Sequence, residues 1–165
     1  KANRYITHMK NLMVDEEEIN KLLTRSKPLG DKLGPILFQL PPQWNLNLER
    51  LEKFINLLPT EKRFIFEFRN DSWYSNEVFD LLSENNLGFC IHDHQDAPSP
   101  IKITTDFVYL RFHGPEGDYQ SSYSEHQLQK KADQVSKWLK QDLVVYVYFN
   151  NDFETNAVYN AQKLR

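Results

Sequence analysis

Residues 107–113 read FVYLRFH, an apolar run that becomes polar just before a Gly-Pro break at 114–115. Four similar runs occur along the chain: PILFQL (35–40), RFIFEF (63–68), GFCIHD (88–93) and LVVYVYFN (143–150). All five are rich in Val, Ile, Leu, Phe and Tyr on both alternating faces, which is typical of strands covered on both sides. The sequence therefore predicts five strands of a parallel sheet.

Most of the segments between these runs begin with a residue typical of a helix N-cap. Asp15, Asn47, Ser75 and Ser124 each stand before an acidic first turn and an apolar stripe at helical spacing. The connection at 94–106, HQDAPSPIKITTD, is too short and proline-rich for a full helix and predicts an irregular crossover. Strands alternating with helices define an α/β fold. Without an internal repeat or linker, the pattern predicts a single domain over residues 1–165.

The composition gives no support for a membrane partner and disfavours nucleic acid as a partner without excluding it. The chain has 165 residues, 40% of them apolar, and a net charge of −3, so it has no general attraction to nucleic acid or to an anionic membrane. Apolar runs stay well short of the roughly 20 residues that a membrane span requires. The single cysteine, Cys90, lies in an apolar run and is predicted to be a core residue in a reducing compartment. These observations predict a cytoplasmic protein.

Every predicted strand becomes polar at its carboxyl end. Ligands of parallel α/β proteins bind at that end, so the residues there form the candidate site. They are Gln39, Glu67, Arg69, His92, Asp93, Arg111, His113, Asn150, Asn151 and Asp152. Any one of them is equally well explained as satisfied internal packing, but five strand ends that become polar together favour a ligand site.

Several motifs resemble the YecE-like family, a domain of unknown function (domain of unknown function 72). They are ITH (6–8), LGPILFQLPP (33–42), FEFRNDSW (66–73), VYLRFHGPEGDY (108–119), VYVYFNND (145–152) and the pair NA (160–161). The resemblance covers essentially the whole chain and implies a TIM (β/α)8 barrel. By this comparison the chain carries the end of strand three and strands four to eight and lacks the N-terminal strands. KANRYITH (1–8), which reads as a loop leaving a strand, agrees with that interpretation.

The resemblance implies no reaction, but it carries a set of motif residues onto this sequence. These are Lys1, Thr7, His8, Gln39, Glu67, Arg69, Trp73, Arg111, His113, Gly114, Tyr119, Asn150 and Asp152. One departure is FETNA (153–157), which differs from the family's glycine-containing stretch and leaves the geometry of the loop after the last strand open.

The first hypothesis is a site that binds or transforms a small anionic ligand at the carboxyl ends of the strands. Arginine presents a planar fork suited to phosphate or carboxylate. Glu67 and His113 are the candidate catalytic acid–base groups. The candidate ligand-binding residues are Lys1, His8, Gln39, Arg69, Arg111, Asn150 and Asp152. No pattern specifies a cofactor or an oligomeric state.

Two alternatives remain open. The first is a metal-dependent hydrolase acting on phosphoesters or nucleic acid ends, with ligands drawn from His8, Glu67, His92, Asp93, His94, Asp96, His113 and Asp152. No defined ligand spacing fixes a metal geometry, so no metal site is assigned. The second is a scaffold or interaction protein that presents Trp44, Trp73 or Trp138, although their positions favour core or rim packing.

Overall fold

Strands form where the apolar runs predict them, with ends that differ by at most one residue. They are β1 (Ile36–Gln39), β2 (Phe64–Glu67), β3 (Gly88–His92), β4 (Phe107–Phe112) and β5 (Val144–Phe149). The computed structural model describes residues 1–94, 98–117 and 119–165. Two compact units make up the chain, Lys1–Gly88 and Phe89–Arg165. Because strands alternate with helices and pair in parallel within each unit, the predicted α/β class is confirmed, whereas the single domain stays a prediction.

Four helices begin at their predicted caps. The helices are α1 (Glu16–Ser26), α2 (Leu48–Ile55), α3 (Asn76–Glu84), α4 (Glu125–Leu139) and α5 (Asn156–Leu164). Asp15, Asn47, Ser75 and Ser124 accept backbone N–H groups in the first turns of α1 to α4. Helix α5 was not predicted, because its first residue follows Thr155, which has a left-handed backbone and no capping side chain.

Aromatic packing dominates the core of the first unit. Strands β1 and β2 pair in parallel, with Ile36 beside Phe64 and Gln39 beside Glu67. Phe38 packs edge-on against Phe54 of α2, with ring centroids 4.9 Å apart. Helix α2, which connects β1 to β2, therefore covers this pair in a βαβ arrangement.

The first residues of this unit differ from the predicted loop. The backbone N–H of Ala2 donates to the carbonyl of Leu37 at 2.8 Å, so the chain enters alongside β1. Tyr5–Met9 then form a π-helical turn with Ile6 and Thr7 buried. A single wide turn carries no distinctive apolar period, which is why the sequence pattern did not indicate it.

In the second unit, β3, β4 and β5 pair in parallel, with β4 between the other two. Alternation sorts the side chains of β4 as predicted. Leu110 and Phe112 line a cavity with Trp138 of α4, while Tyr109 faces the opposite side and stacks on Tyr148 with ring centroids 4.8 Å apart. Cys90 is buried in β3, which confirms it as a core residue.

The connection between β3 and β4 has no helix or strand in its described part, residues 98–106, as predicted. Polar side chains fasten it to β3 instead. Ser99 Oγ accepts the N–H of His92 at 2.8 Å, and Thr104 Oγ1 accepts the N–H of Phe89 at 3.0 Å.

Candidate functional site

In the first unit, four predicted site residues gather at the carboxyl ends of β1 and β2. Gln39 and Glu67 are register neighbours. The Lys1 ammonium donates to Gln39 Oε1, and Arg69 Nε donates to the Glu67 carboxylate. Glu67 and Arg69 are 0% and 6% exposed, so they form a buried ion pair. The contact with Arg69 therefore fixes the orientation of the buried Glu67 carboxyl group.

His8 lies in the π-helical turn of the same unit. Its Nδ1 is 2.8 Å from the hydroxyl oxygen of Thr7. Burial lowers the pKa of His8, and the positive charges of Arg4 and Lys1 lower it further. His8 is therefore a neutral imidazole at neutral pH, able both to donate and to accept a hydrogen bond.

In the second unit, Arg111 lies at the centre of the three strand ends. The register places it beside His92 of β3 and Tyr148 of β5. Its Nη2 donates to Asn150 Oδ1 at 2.9 Å. The structure thus brings together two predicted ligand-binding residues, Arg111 and Asn150, and fixes one edge of the guanidinium.

Asp93 is the centre of a hydrogen-bond network beside His113. Its Oδ1 accepts the backbone N–H of His113 at 2.7 Å and lies 3.7 Å from His113 Nδ1. Its Oδ2 accepts the Tyr123 hydroxyl at 2.6 Å and the Lys131 ammonium at 2.9 Å. The Tyr123 oxygen in turn accepts the N–H of Gly114 at 2.7 Å. The network therefore holds a carboxylate against one side of the His113 ring.

The charge of Asp93 follows from these contacts. Burial alone would raise its pKa, but the hydrogen bonds from His113 and Tyr123 and the charge of Lys131 outweigh burial and lower the pKa well below the usual range. Burial, followed by the bond to Asp93, raises the pKa of Tyr123. At neutral pH the network therefore contains a carboxylate that accepts and a neutral phenol that donates.

The side chain of His113 is buried in the second unit. The residue follows the last residue of β4 and is 0% exposed. The rings of His92, His94 and Tyr119 surround it edge-on, with centroids 6.0, 5.4 and 5.0 Å away. Tyr119 is 41% exposed, so the group that covers His113 reaches solvent.

Asp152 is a predicted ligand-binding residue that the structure does not bring into the cluster around His113. It is exposed, and within residues 1–94, 98–117 and 119–165 its carboxylate has no hydrogen bond or ion pair. The neighbouring Asn151 is buried instead and donates to Asn160 of α5 at 2.9 Å. Asn160 also accepts the N–H of Tyr123 at 3.2 Å and donates to Ser122 at 2.9 Å. These amides therefore fix the loop that carries Tyr123.

Sequence reasoning missed Tyr123 and Lys131, and it noted Asn160 only in the family motif NA (160–161), without a role. Tyr123 carries a weak signal, because an apolar residue just before the cap of a helix often packs back onto that helix. Lys131 carries none, since its partner Asp93 is 38 residues away in the chain. Asn160 belongs to a helix that was not predicted.

The described residues give no metal-binding arrangement. Among residues 1–94, 98–117 and 119–165, no three His, Cys, Asp or Glu side chains are placed to hold an ion. Asp96, one of the residues considered for a metal site, lies outside the described residues.

The tryptophans pack as predicted. Trp73 and Trp138 are 0% and 5% exposed. Trp73 stacks on Phe68 at 4.9 Å, and its indole N–H donates to the carbonyl of Trp44 at 2.7 Å.

In the described part of the chain, every helix is too short or too polar to cross a membrane.

These features define an α/β protein whose polar residues collect at the carboxyl ends of parallel strands. The chain belongs to the DUF72 family, described as proteins of unknown function, and the match covers residues 1–165. The predicted family is thereby confirmed.

Two solved structures of DUF72 family proteins are similar to the chain. The protein from Thermotoga maritima is 27% identical, with a TM-score of 0.84, and the match covers 98% of this chain and 69% of that one. The protein from Enterococcus faecalis V583 is 22% identical, with a TM-score of 0.80 and coverage of 98% and 68%. No curated protein matches the chain.

Proposed function

We propose that this protein binds a small anionic molecule bearing a phosphate or carboxylate group at the carboxyl ends of its parallel strands, and that His113 exchanges a proton with it. We also propose that the fold is the C-terminal part of a (β/α)8 barrel. Barrel proteins bind their ligands at the carboxyl ends of the strands, which is where the candidate residues lie. A cytoplasmic location belongs to the proposal as well and rests on composition.

The observation that carries the proposal is the contact between Asp93 and His113. Asp93 Oδ1 lies 3.7 Å from His113 Nδ1 and accepts the backbone N–H of the same residue. At 3.7 Å the contact is electrostatic rather than a hydrogen bond, and a carboxylate on this side favours the tautomer with a proton on Nδ1. Nε2 is then the atom that gains or loses a proton.

Arg111 supplies the preference for an anion. It is two residues before His113, and its bond to Asn150 leaves the guanidinium oriented at the strand ends. A planar fork in this position suits a phosphate or carboxylate group. In this proposal Arg111 and Asn150 bind the anion while His113 donates or accepts the proton.

The first unit, taken by itself, holds a second group of proposed residues at the ends of its own strands. Glu67 is the second candidate acid–base group, and its contact with Arg69 fixes the orientation of its carboxyl group. Lys1 and Gln39 are proposed ligand contacts because they meet at the end of β1, and His8 is proposed because it lies in the π-helical turn of the same unit. Asp152 has the weakest support among the proposed ligand contacts, since it is exposed.

A thermal-shift experiment tests the proposal. The wild-type protein is screened with inorganic phosphate, phosphorylated metabolites and carboxylic acids, with a chelator or with divalent metal ions. At about 100 times Kd, a ligand that binds only the folded state stabilises it by about 2.7 kcal/mol. We expect anions to stabilise the wild type in the presence of chelator, and we expect Arg111→Gln to remove that effect.

Arg25→Gln is the matched control, because Arg25 is exposed on α1 and is not part of the candidate site. The proposal is wrong if no anion stabilises the protein or if Arg111→Gln responds as the control does. Stabilisation by divalent ions alone would favour the hydrolase alternative. No response to any ligand would favour the scaffold alternative.

A further inference from the structure

A cleft of about 340 Å³ opens in the first unit, and its lining residues do not include Glu67 or Arg69. It is lined by Arg4, His8, Asn11, Pro41, Gln43 and Trp44. Its volume lies at the lower end of the roughly 300–1,000 Å³ that is typical of small-molecule sites. The cleft is therefore large enough for a small ring-bearing molecule with one charged substituent.

The cleft is electropositive. None of the lining residues is acidic. Arg4 is exposed and forms no ion pair within the described part of the chain. The charges of Arg4 and Lys1 both act on His8. An anion entering the cleft therefore meets positive charge that no lining carboxylate neutralises.

Neutral hydrogen-bonding groups accompany this charge. His8 is held through Nδ1 by the hydroxyl of buried Thr7. The same imidazole belongs to the π-helical turn Tyr5–Met9, a distortion that occurs frequently at functional sites. The side-chain amide of Gln43 lines the cleft as well. These groups suit the hydroxyl or ring nitrogen atoms of a polar ligand.

One wall of the cleft is apolar and firmly positioned. Pro41 and Trp44 belong to the turn after β1, where the N–H of Trp44 donates to the Pro41 carbonyl at 3.2 Å. Trp73 anchors Trp44 twice, by a 2.7 Å hydrogen bond to its carbonyl and by an edge-on ring contact at 5.1 Å. A fixed indole and a proline ring provide a surface against which a flat ring packs.

We propose that this cleft binds a phosphorylated ring compound, with the phosphate on Arg4 and the ring against Trp44. A sugar phosphate and a nucleoside monophosphate share this chemistry. The inference goes beyond the function proposed above, because it rests on Arg4 and Trp44, which that function does not use, and needs no proton transfer; His8 belongs to both sets of residues.

Calorimetric titration tests the cleft with four probes: inorganic phosphate, glucose 6-phosphate, adenosine monophosphate and adenosine. At least one ring phosphate should bind the wild type about tenfold or more tightly than either inorganic phosphate or adenosine. The ring phosphate that binds more tightly shows whether the cleft prefers a sugar phosphate or a nucleoside monophosphate. Arg4→Gln should weaken that binding about tenfold or more, since it removes charge-assisted hydrogen bonds, whereas Arg25→Gln should leave it unchanged.

Variants of Trp44 separate the ring contact from the charge contact. Trp44→Leu should reduce the affinity for the ring phosphate to that for inorganic phosphate, and Trp44→Phe should retain most of it. Affinities are compared only for variants whose circular dichroism spectrum matches that of the wild type. If Trp44→Leu does not fold, the effect of Arg4→Gln on the affinity tests the inference.

The inference is overturned if neither ring phosphate binds, or if Arg4→Gln binds as tightly as the wild type. Binding that survives Arg111→Gln but not Arg4→Gln assigns the probe to this cleft. The reverse pattern assigns the probe to the site around His113 and refutes the cleft.

Discussion

Replacing Asp93 by asparagine keeps the shape of the side chain and removes the charge that holds the network around His113. The Lys131 ammonium loses its anionic partner at 2.9 Å, and one carboxylate acceptor becomes an N–H donor. Breaking a buried ion pair typically costs about 3–5 kcal/mol. Asp93 is 29% exposed, and Lys131 retains its contact with the Phe112 ring at 3.6 Å. We therefore expect Asp93→Asn to lower the free energy of unfolding by about 3 kcal/mol at pH 7.

The loss of stability in Asp93→Asn should depend on pH in a direction that follows from the lowered pKa of Asp93. The pKa of Asp93 is lower in the folded protein than in the unfolded chain, where an aspartate titrates near 3.9. Its stabilising contribution is therefore complete above about pH 4 and decreases as the pH falls toward the folded value. The difference between wild type and Asp93→Asn should thus be about 1 kcal/mol smaller at pH 3 than at pH 7, since one pH unit corresponds to about 1.4 kcal/mol.

Urea unfolding followed by circular dichroism at both pH values measures these differences. Asp80→Asn is the control, because Asp80 is exposed on α3. The reasoning is refuted if Asp93→Asn destabilises no more than the control. It is equally refuted if the effect of Asp93→Asn is as large at pH 3 as at pH 7.

Three further substitutions test other parts of the structure, each by the same unfolding measurement. Asn160→Ala should cost about 2–3 kcal/mol, because buried Asn160 bonds to Tyr123, Asn151 and Ser122; a loss below about 1 kcal/mol would contradict this. Trp73→Phe should cost about 1–3 kcal/mol through the unpaired Trp44 carbonyl and lost packing, and an unchanged midpoint would show that the indole bond is not formed. Ser124→Ala should cost about 1 kcal/mol by removing the capping box of α4, with Ser124→Asp as the variant expected to retain stability.

The elements that could be predicted from the sequence are those with local signals. A strand such as β4 is an apolar run bounded by turn residues, and α4 begins with a cap three residues before Gln127. These signals involve neighbours in the chain, so no tertiary information was needed. Helix α5 lacks such a cap, and the π-helical turn Tyr5–Met9 is too short for a period.

The candidate site could be predicted only in part. The polar strand ends identified Arg111 and Asn150, because parallel strands align their carboxyl ends. Glu67 and Arg69 are two residues apart at the end of one strand, so alternation places them on one face. The environment of His113 did not follow from the sequence. The ring of His94 packs against His113 from 19 positions away in the chain, and Lys131 reaches Asp93 from 38 positions away. No local sequence pattern indicates such contacts.

The central claim is that an anion binds beside His113, and nuclear magnetic resonance of its imidazole nitrogens tests it most directly. Inorganic phosphate is titrated at constant pH and ionic strength into the wild type, Arg111→Gln and Arg25→Gln. The proposal predicts a saturable shift of the His113 Nε2 resonance in the wild type and in Arg25→Gln, and none in Arg111→Gln. A His113 ring that phosphate leaves unperturbed, or that responds equally without Arg111, would contradict it.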